Sequence, residues 1–194
     1  MSLQYNKLKL SEIEIQPAGK IHIGSILNIL NPYMKVGKLL PRDKNDIIEN
    51  FFSNQPDNLY SFHPLNSESG VTNSESSETS GKHNFFIASY KDEYVGCVAV
   101  RDYEKGLFEI RSLAVSDGVS GKGVGSALIT FAVEVVKNER GGRKVFALTR
   151  RPNVFTRLGF EIVPMEMFPK KIWFDCSKCK KIDDCDEVAV LSNI

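Results

Sequence analysis

Apolar positions along the chain fall into short runs whose spacing alternates between two residues and three to four. Ile13-Glu14-Ile15-Gln16 alternates in the manner of a half-buried strand. Ile21, Ile26, Leu27 and Leu30 then recur at helical spacing, and Asn31-Pro32 is expected to end that helix. Asp43 is placed to cap a second helix whose apolar side carries Ile47, Ile48, Phe51 and Phe52. Two apolar runs, Phe85 to Tyr90 and Tyr94 to Val100, flank Lys91-Asp92-Glu93 and predict a hairpin. A third strand is expected from Leu107 to Val115, after turn residues between Asp102 and Gly106. Leu128, Ile129, Phe131, Ala132, Val135 and Val136 form the broad apolar face of a helix that stops near Gly141-Gly142. Lys144 to Thr149 returns as a strand, Pro152 opens a short helix, and Phe160 to Val163 is strand again. Antiparallel strands followed by strand, glycine loop, helix and strand predict an α+β fold, a mixed sheet flanked by helices.

Residues 66–82 break the pattern: they are rich in Ser, Glu and Asn, with almost nothing apolar to offset the entropy of ordering. A flexible surface insertion is expected there, in preference to a phosphorylation tract. With 194 residues, 42% hydrophobic and 25% charged, the chain suits one domain spanning 1–194. Lys and Arg number 25 against 24 for Asp and Glu, a net charge of +1, so no global field draws in nucleic acid or an anionic membrane. Any anion site must be local. No run approaches the roughly 18 apolar residues of a spanning helix, and the N-terminus lacks the pattern of a secretory signal, so a cytoplasmic location is expected. Three of the four cysteines, Cys176, Cys179 and Cys185, crowd near the C-terminus while Cys97 stands apart, which suits reduced thiols better than a disulfide framework.

The candidate chemistry centres on the segment Ser120-Gly121-Lys122-Gly123-Val124-Gly125-Ser126, between a predicted strand and a predicted helix. Without side chains, Gly121, Gly123 and Gly125 let the backbone approach a ligand, and their amides together with the helix N-terminus suit a pyrophosphate. A dinucleotide-binding unit would place such a loop after the first strand of a parallel sheet, and here it follows an antiparallel hairpin. A Walker-type phosphate loop would end in Gly-Lys-Ser or Gly-Lys-Thr, whereas Lys122 lies between glycines.

Leu113-Ala114-Val115 at the strand end, followed by this loop, resembles the signature of the GNAT superfamily of N-acetyltransferases, with Ser120 where that pattern has Gln or Arg. Asn153, Phe155 and Leu158-Gly159-Phe160 are similar to its later part, with Phe155 where many members carry a tyrosine that protonates the departing thiolate. Further blocks sharpen the resemblance to stand-alone bacterial and plant-type N-acetylglutamate synthases: Asn31-Pro32-Tyr33, Leu39-Leu40-Pro41-Arg42, Glu109-Ile110-Arg111-Ser112, Phe146-Ala147-Leu148-Thr149, Pro169-Lys170-Lys171-Ile172-Trp173 and Asp175-Cys176-Ser177-Lys178-Cys179 through Cys185-Asp186-Glu187. The resemblance implies a GNAT fold, acetyl-coenzyme A as acetyl donor, the α-amino group of L-glutamate as acceptor for arginine biosynthesis, and a homodimer. It also implies that arginine feedback through a preceding amino-acid-kinase domain is lacking. Coenzyme contacts are expected from Leu113, Ala114, Val115, the loop residues Ser120, Gly121, Lys122, Gly123, Val124, Gly125 and Ser126, and from Asn153 and Phe155. The alternatives are a GNAT enzyme for glutamine or another small amine, and a coenzyme-binding sensor without turnover.

An α-amino acid is an ammonium ion at neutral pH, so its attack on a thioester requires loss of a proton. Strand alternation is expected to put Glu109, Arg111, Leu113 and Val115 on one face. Glu109 stands where several members hold a general base, and Arg111 beside it suits a bidentate carboxylate contact; the alternative is a structural Glu109–Arg111 ion pair. Backbone amides of Leu113 to Val115 are expected to receive the thioester oxygen. Arg42 and Lys171 are candidates for the substrate carboxylates, against the alternative of solvated surface cations. Cys176, Cys179 and Cys185 have part of a zinc spacing but lack an evident fourth ligand, so no metal is expected and the thiols are read as packing a C-terminal lid, with Trp173 as its anchor.

Overall fold

The computed structural model describes residues 8–53, 84–103, 105–179 and 181–194; the serine-rich segment 66–82 lies outside them. Among the described residues seven strands, β1 (Ile13–Pro17), β2 (Phe85–Tyr90), β3 (Glu93–Asp102), β4 (Leu107–Val115), β5 (Lys144–Thr149), β6 (Glu161–Val163) and β7 (Val188–Asn193), form one sheet in the order β1-β2-β3-β4-β5-β7-β6. Only β4 and β5 run parallel; every other neighbouring pair is antiparallel. Helices α1 (Ile23–Lys35) and α2 (Lys44–Ile47) precede the β2–β3 hairpin, α3 (Val124–Arg140) joins β4 to β5, α4 (Pro152–Thr156) follows β5, and α5 (Pro169–Phe174) lies between β6 and β7. The expected mixed, mostly antiparallel α+β architecture is therefore the one found.

Both faces of the sheet are covered, which is why β2 and β3 read as nearly unbroken apolar runs. Phe86, Ala88, Val98 and Val100 face α3 and meet Leu128, Ile129 and Ala132. Phe85, Ile87, Cys97 and Ala99 point the other way, toward Ile26, Leu30, Ile47 and Phe52. Each fully buried Val, Leu, Ile or Phe among them stabilises by about 1.5–3 kcal/mol. The Asp43 carboxylate accepts from the amide of Asp46 at 2.8 Å, as its predicted capping role requires, but α2 lasts one turn and continues as a π-helix from Ile48 to Phe52. Gly141 takes φ +62° and ends α3 where the sequence predicts.

Three expectations are corrected. Asn31-Pro32 does not stop α1, which runs through Pro32 to Lys35. Proline removes the donor for the carbonyl of Asn28, and the helix persists because Ile29 and Leu30 are buried beneath it and the Tyr33 hydroxyl beyond the proline donates to the Val115 carbonyl. The second correction concerns β4. Ala99 pairs with Arg111 but Cys97 with Ala114, so β4 carries one residue more than β3, and Ser112 sits at φ +50°. This bulge reverses the alternation: Glu109 and Arg111 face the α1–α5 side, while Leu113 and Val115 pack into the α3 core with Phe108 and Ile110. Third, Trp173 anchors nothing among the described residues, since it is 76% exposed. The apolar run that forms β7 and the helical turn of α5 extend the fold beyond the elements read from the sequence.

The turn after α3 is tightly packed. A Cβ on Gly142 would lie 2.2 Å from Val136 Cγ1 and 3.0 Å from the Val136 carbonyl, itself hydrogen-bonded to the Gly142 amide at 2.9 Å. Gly142→Ala is therefore expected to lower stability by about 1–3 kcal/mol, read as a lower urea midpoint with an unchanged slope.

Candidate functional site

β4 and β5 pair only from Leu107/Lys144 to Glu109/Phe146. Beyond that point the strands part, and the backbone edge of β4 toward β5 is left without a strand partner. A cleft of about 640 Å³ opens in the gap. Its walls include Leu113, Ala114 and Val115 from β4, Ala147, Leu148 and Thr149 from β5, and Val154 and Phe155 from α4. Ser120, Gly121, Gly123, Gly125 and Ser126 close one end. Gly121 and Gly123 take φ +78° and +90°, angles that side chains disfavour. The first-turn amides of the 17-residue α3 have no intrahelical acceptor and, with the helix dipole, make this end suited to an anion. Of the residues predicted to contact the coenzyme, Lys122, Val124 and Asn153 are outside this lining: Val124 is buried in the core, and Asn153 is exposed on α4.

A smaller hollow of about 80 Å³ adjoins the cleft on the α1 side, and Arg42, Glu109, Arg111 and Lys171 all line it. The fold thus gathers four predicted acceptor-site residues from α5, β4 and the α1–α2 connection. Their bonding is a network. Lys171, 6% exposed, places Nζ 2.6 Å from Glu109 Oε1 and 2.8 Å from Asp175 Oδ2. Arg111 reaches Asp175 at 3.1 Å and Glu109 Oε2 at 3.5 Å, and the Tyr103 hydroxyl donates to Glu109 Oε2 at 3.1 Å. Arg101 approaches Asp175 at 3.5 Å. The Glu109–Arg111 ion pair exists, then, as one contact in a buried cluster.

Burial opposes the charge on Arg111, but Glu109 and Asp175 outweigh it and hold its pKa above the ordinary value. Burial opposes ionisation of Asp175 too, and Arg111 and Lys171 prevail, keeping that carboxyl below its usual range. Arg42 is shifted the other way, by burial and by the nearby positive charge of Arg111, despite its ion pair with Asp46 at 2.6 Å. Two guanidinium groups therefore converge on one hollow, both beside the Phe51 ring, at 5.3 and 6.0 Å from its centroid. The Nε of Arg111 is buried without a hydrogen-bond partner. An unpaired buried donor is costly, and an incoming carboxylate would satisfy it.

Several lining groups were not picked out from the sequence. Tyr33, Lys38, Arg150, Arg151 and Arg157 border the cleft, and Glu187 borders both cavities. The basic cluster Arg150-Arg151 with Arg157, directly after a predicted strand, was the available signal for a basic stretch of the cleft wall. Glu187 carried none beyond its place in the Cys185-Asp186-Glu187 block. Cys176 and Cys179 are half-buried and Cys185 is exposed, all as free thiols, and no cluster of three or more His, Cys, Asp or Glu side chains among the described residues is arranged for a metal ion.

The sequence matches the acetyltransferase (GNAT) family over residues 47–160, and the chain belongs to that family. It is 42% identical over 111 residues, 57% of this chain and 71% of the relative, to an uncharacterized N-acetyltransferase of Chlorobaculum tepidum. It is 35% identical over 79 residues, 39% of this chain and 45% of the relative, to an amino-acid acetyltransferase of Mycobacterium tuberculosis. The structure is similar to N-acetylglutamate synthase from Neisseria gonorrhoeae complexed with coenzyme A and N-acetyl-glutamate, with a TM-score of 0.70 and 18% identity, over 95% of this chain but 36% of that one. That likeness shows the GNAT fold, and this chain spans about a third of the Neisseria protein's length.

Proposed function

We propose that the chain transfers the acetyl group of acetyl-coenzyme A to the α-amino group of a carboxylate-bearing amino acid, with L-glutamate as the acceptor. The observation that carries this reading is the pair of largely buried guanidinium groups, Arg42 and Arg111, in a hollow that opens onto the cleft between β4 and β5. The cleft suits the donor: glycine amides and the α3 N-terminus for the diphosphate, the unpaired edge of β4 for the pantetheine arm, and the amides around the Ser112–Leu113 bulge for the thioester oxygen. The hollow suits the acceptor, since Arg111 Nε and Arg42 can each receive a carboxylate oxygen. Lys171, already held by two carboxylates, serves in this reading to position Glu109 and Asp175 behind Arg111. The Mycobacterium and Neisseria relatives, an amino-acid acetyltransferase and an N-acetylglutamate synthase, support the same substrate class.

Thiol release from acetyl-coenzyme A, followed across a panel of amino acids, tests the reading. Saturable release with glutamate is expected; a preference for glutamine or an uncharged amine would move the acceptor, and coenzyme binding without turnover would leave a sensor. Arg42→Ala is expected to raise the glutamate KM about 10- to 150-fold, the loss of one charge-assisted carboxylate contact of about 1.5–3 kcal/mol, with coenzyme affinity unchanged. An unaltered KM would remove Arg42 from the acceptor site.

A further inference from the structure

We infer that Glu187, the residue immediately before β7, is the proton acceptor for the attacking amine; this rests on the amine-acetylation reading above. Glu187 is one of six residues that line both the hollow and the cleft, with Leu39, Ile110, Arg111, Ser112 and Leu148. Only two of the six carry charge, Arg111 and Glu187. At the junction between a carboxylate-binding hollow and a thioester-binding cleft, an α-amino acid held by Arg111 presents its ammonium group, and Glu187 is the acid that lines that junction.

Glu109, the residue expected in this role from its strand position, is differently placed. Both of its oxygens are engaged, Oε1 by Lys171 at 2.6 Å and Oε2 by Tyr103 at 3.1 Å and Arg111 at 3.5 Å, and its side chain is 2% exposed. A carboxylate so held has neither oxygen free to turn toward an ammonium group in the hollow. Glu187 has a looser contact, with Arg150 at 3.5 Å, while Arg150 is held more closely by Asp186 at 2.5 Å and by the Lys38 carbonyl at 2.6 Å. Its side chain is 28% exposed, so a proton it accepts can pass to solvent. Burial pushes its carboxyl above the usual range, against the opposing charges of Arg150 at the end of β5 and Lys171 on α5; Asp186 and Glu109 add to the rise. Cys176, after α5, also bears on it, and Arg111 and Lys38 line the same junction and cleft. A carboxylate of raised affinity for protons is the kind that serves as a base near neutral pH.

The ammonium group gives one proton to the Glu187 carboxylate, and the freed nitrogen lone pair forms the C–N bond at the thioester carbon. The carbonyl electrons collapse back as the C–S bond breaks, and the thiolate leaves with that bonding pair. A second nitrogen proton neutralises the thiolate, and Glu187 returns the first to solvent, so that one ammonium and one thioester give one amide, one thiol and one released proton.

The pH dependence of acetyl transfer to glutamate tests the assignment. The wild type is expected to gain kcat/KM with rising pH as the Glu187 carboxyl ionises. Glu187→Gln is expected to lose about 100-fold or more in kcat at neutral pH, to keep its coenzyme affinity by calorimetry, and to replace that limb with activity that climbs with the free-amine concentration. Glu187→Asp, which retains a carboxyl on a shorter arm, is expected to keep the limb at reduced kcat. If Glu187→Gln changes only KM, or retains the wild-type limb with kcat within about fivefold, the inference is overturned and Glu187 merely binds the ammonium group or does nothing. A folded wild type that acetylates no amine overturns the amine-transfer reading itself, and this inference with it.

Discussion

Replacing Lys171 by methionine is expected to cost about 3–5 kcal/mol of folding stability at neutral pH, the largest loss foreseen for any exchange considered for this fold. Methionine keeps the apolar stem, so the loss isolates the charge. With Nζ gone, Glu109 loses its 2.6 Å partner and Asp175 its 2.8 Å partner, and Arg111 must serve two carboxylates from 3.5 and 3.1 Å. Desolvation of a carboxylate that is 2% exposed is then poorly compensated. Adding Glu109→Gln removes the stranded charge, and the double variant is expected to recover much of the stability, a non-additivity that independent sites do not show. Urea unfolding of the four proteins of this cycle gives the answer. A single-variant loss below about 1 kcal/mol would mean that the cluster is solvated and contributes as little as an exposed pair.

The second large effect is expected in the glycine loop, on binding and not on folding. In Gly121→Val the new Cβ meets no protein atom within 4 Å, so the fold loses only the strain of a side chain at φ +78°, about 1–2 kcal/mol. The same Cβ projects at the loop end of the cleft, where the proposed reading has the backbone approach a diphosphate closely. Each charge-assisted hydrogen bond lost there is worth about 1.5–3 kcal/mol, and coenzyme A affinity should fall about 10- to 150-fold. Calorimetric titration of variant and wild type compares the two directly; affinities within a factor of two would show that the diphosphate lies elsewhere.

Much of this fold is legible in the residues because local and tertiary preferences agree. β4 and β5 have the bounds that their apolar runs and flanking turns predict, and α3 ends at the glycine pair. The departures occur where tertiary contacts override local signals. Pro32 reads as a helix stop, but Leu30 below it and Tyr33 beyond it are tied to the sheet. Ser112 looks like any strand residue, and only its pairing against β3 reveals the extra position. β7 is a brief apolar run at the chain end, helix or strand by pattern alone, and it becomes a strand because β5 and β6 offer edges on both sides. Within the site, the glycine loop and the four charged residues Arg42, Glu109, Arg111 and Lys171 were visible as residue types, and the fold brings them together. Which of those four are free and which are spoken for was not visible, because Asp175 and Tyr103 join the cluster through folding. Glu187 is likewise undistinguished until β7 docks beside β5.

The extra residue in β4 separates two tasks along a single strand. Upstream of Ser112, Glu109 and Arg111 line the smaller hollow; downstream, Leu113 and Val115 pack on the α3 side and line the cleft. On the proposed reading, an exchange at 109, which lines the hollow and not the cleft, alters the acceptor side and leaves the coenzyme side at 113 and 115 in place. Deleting a single residue at the kink would do the opposite, turning the whole downstream stretch over and forfeiting both at once.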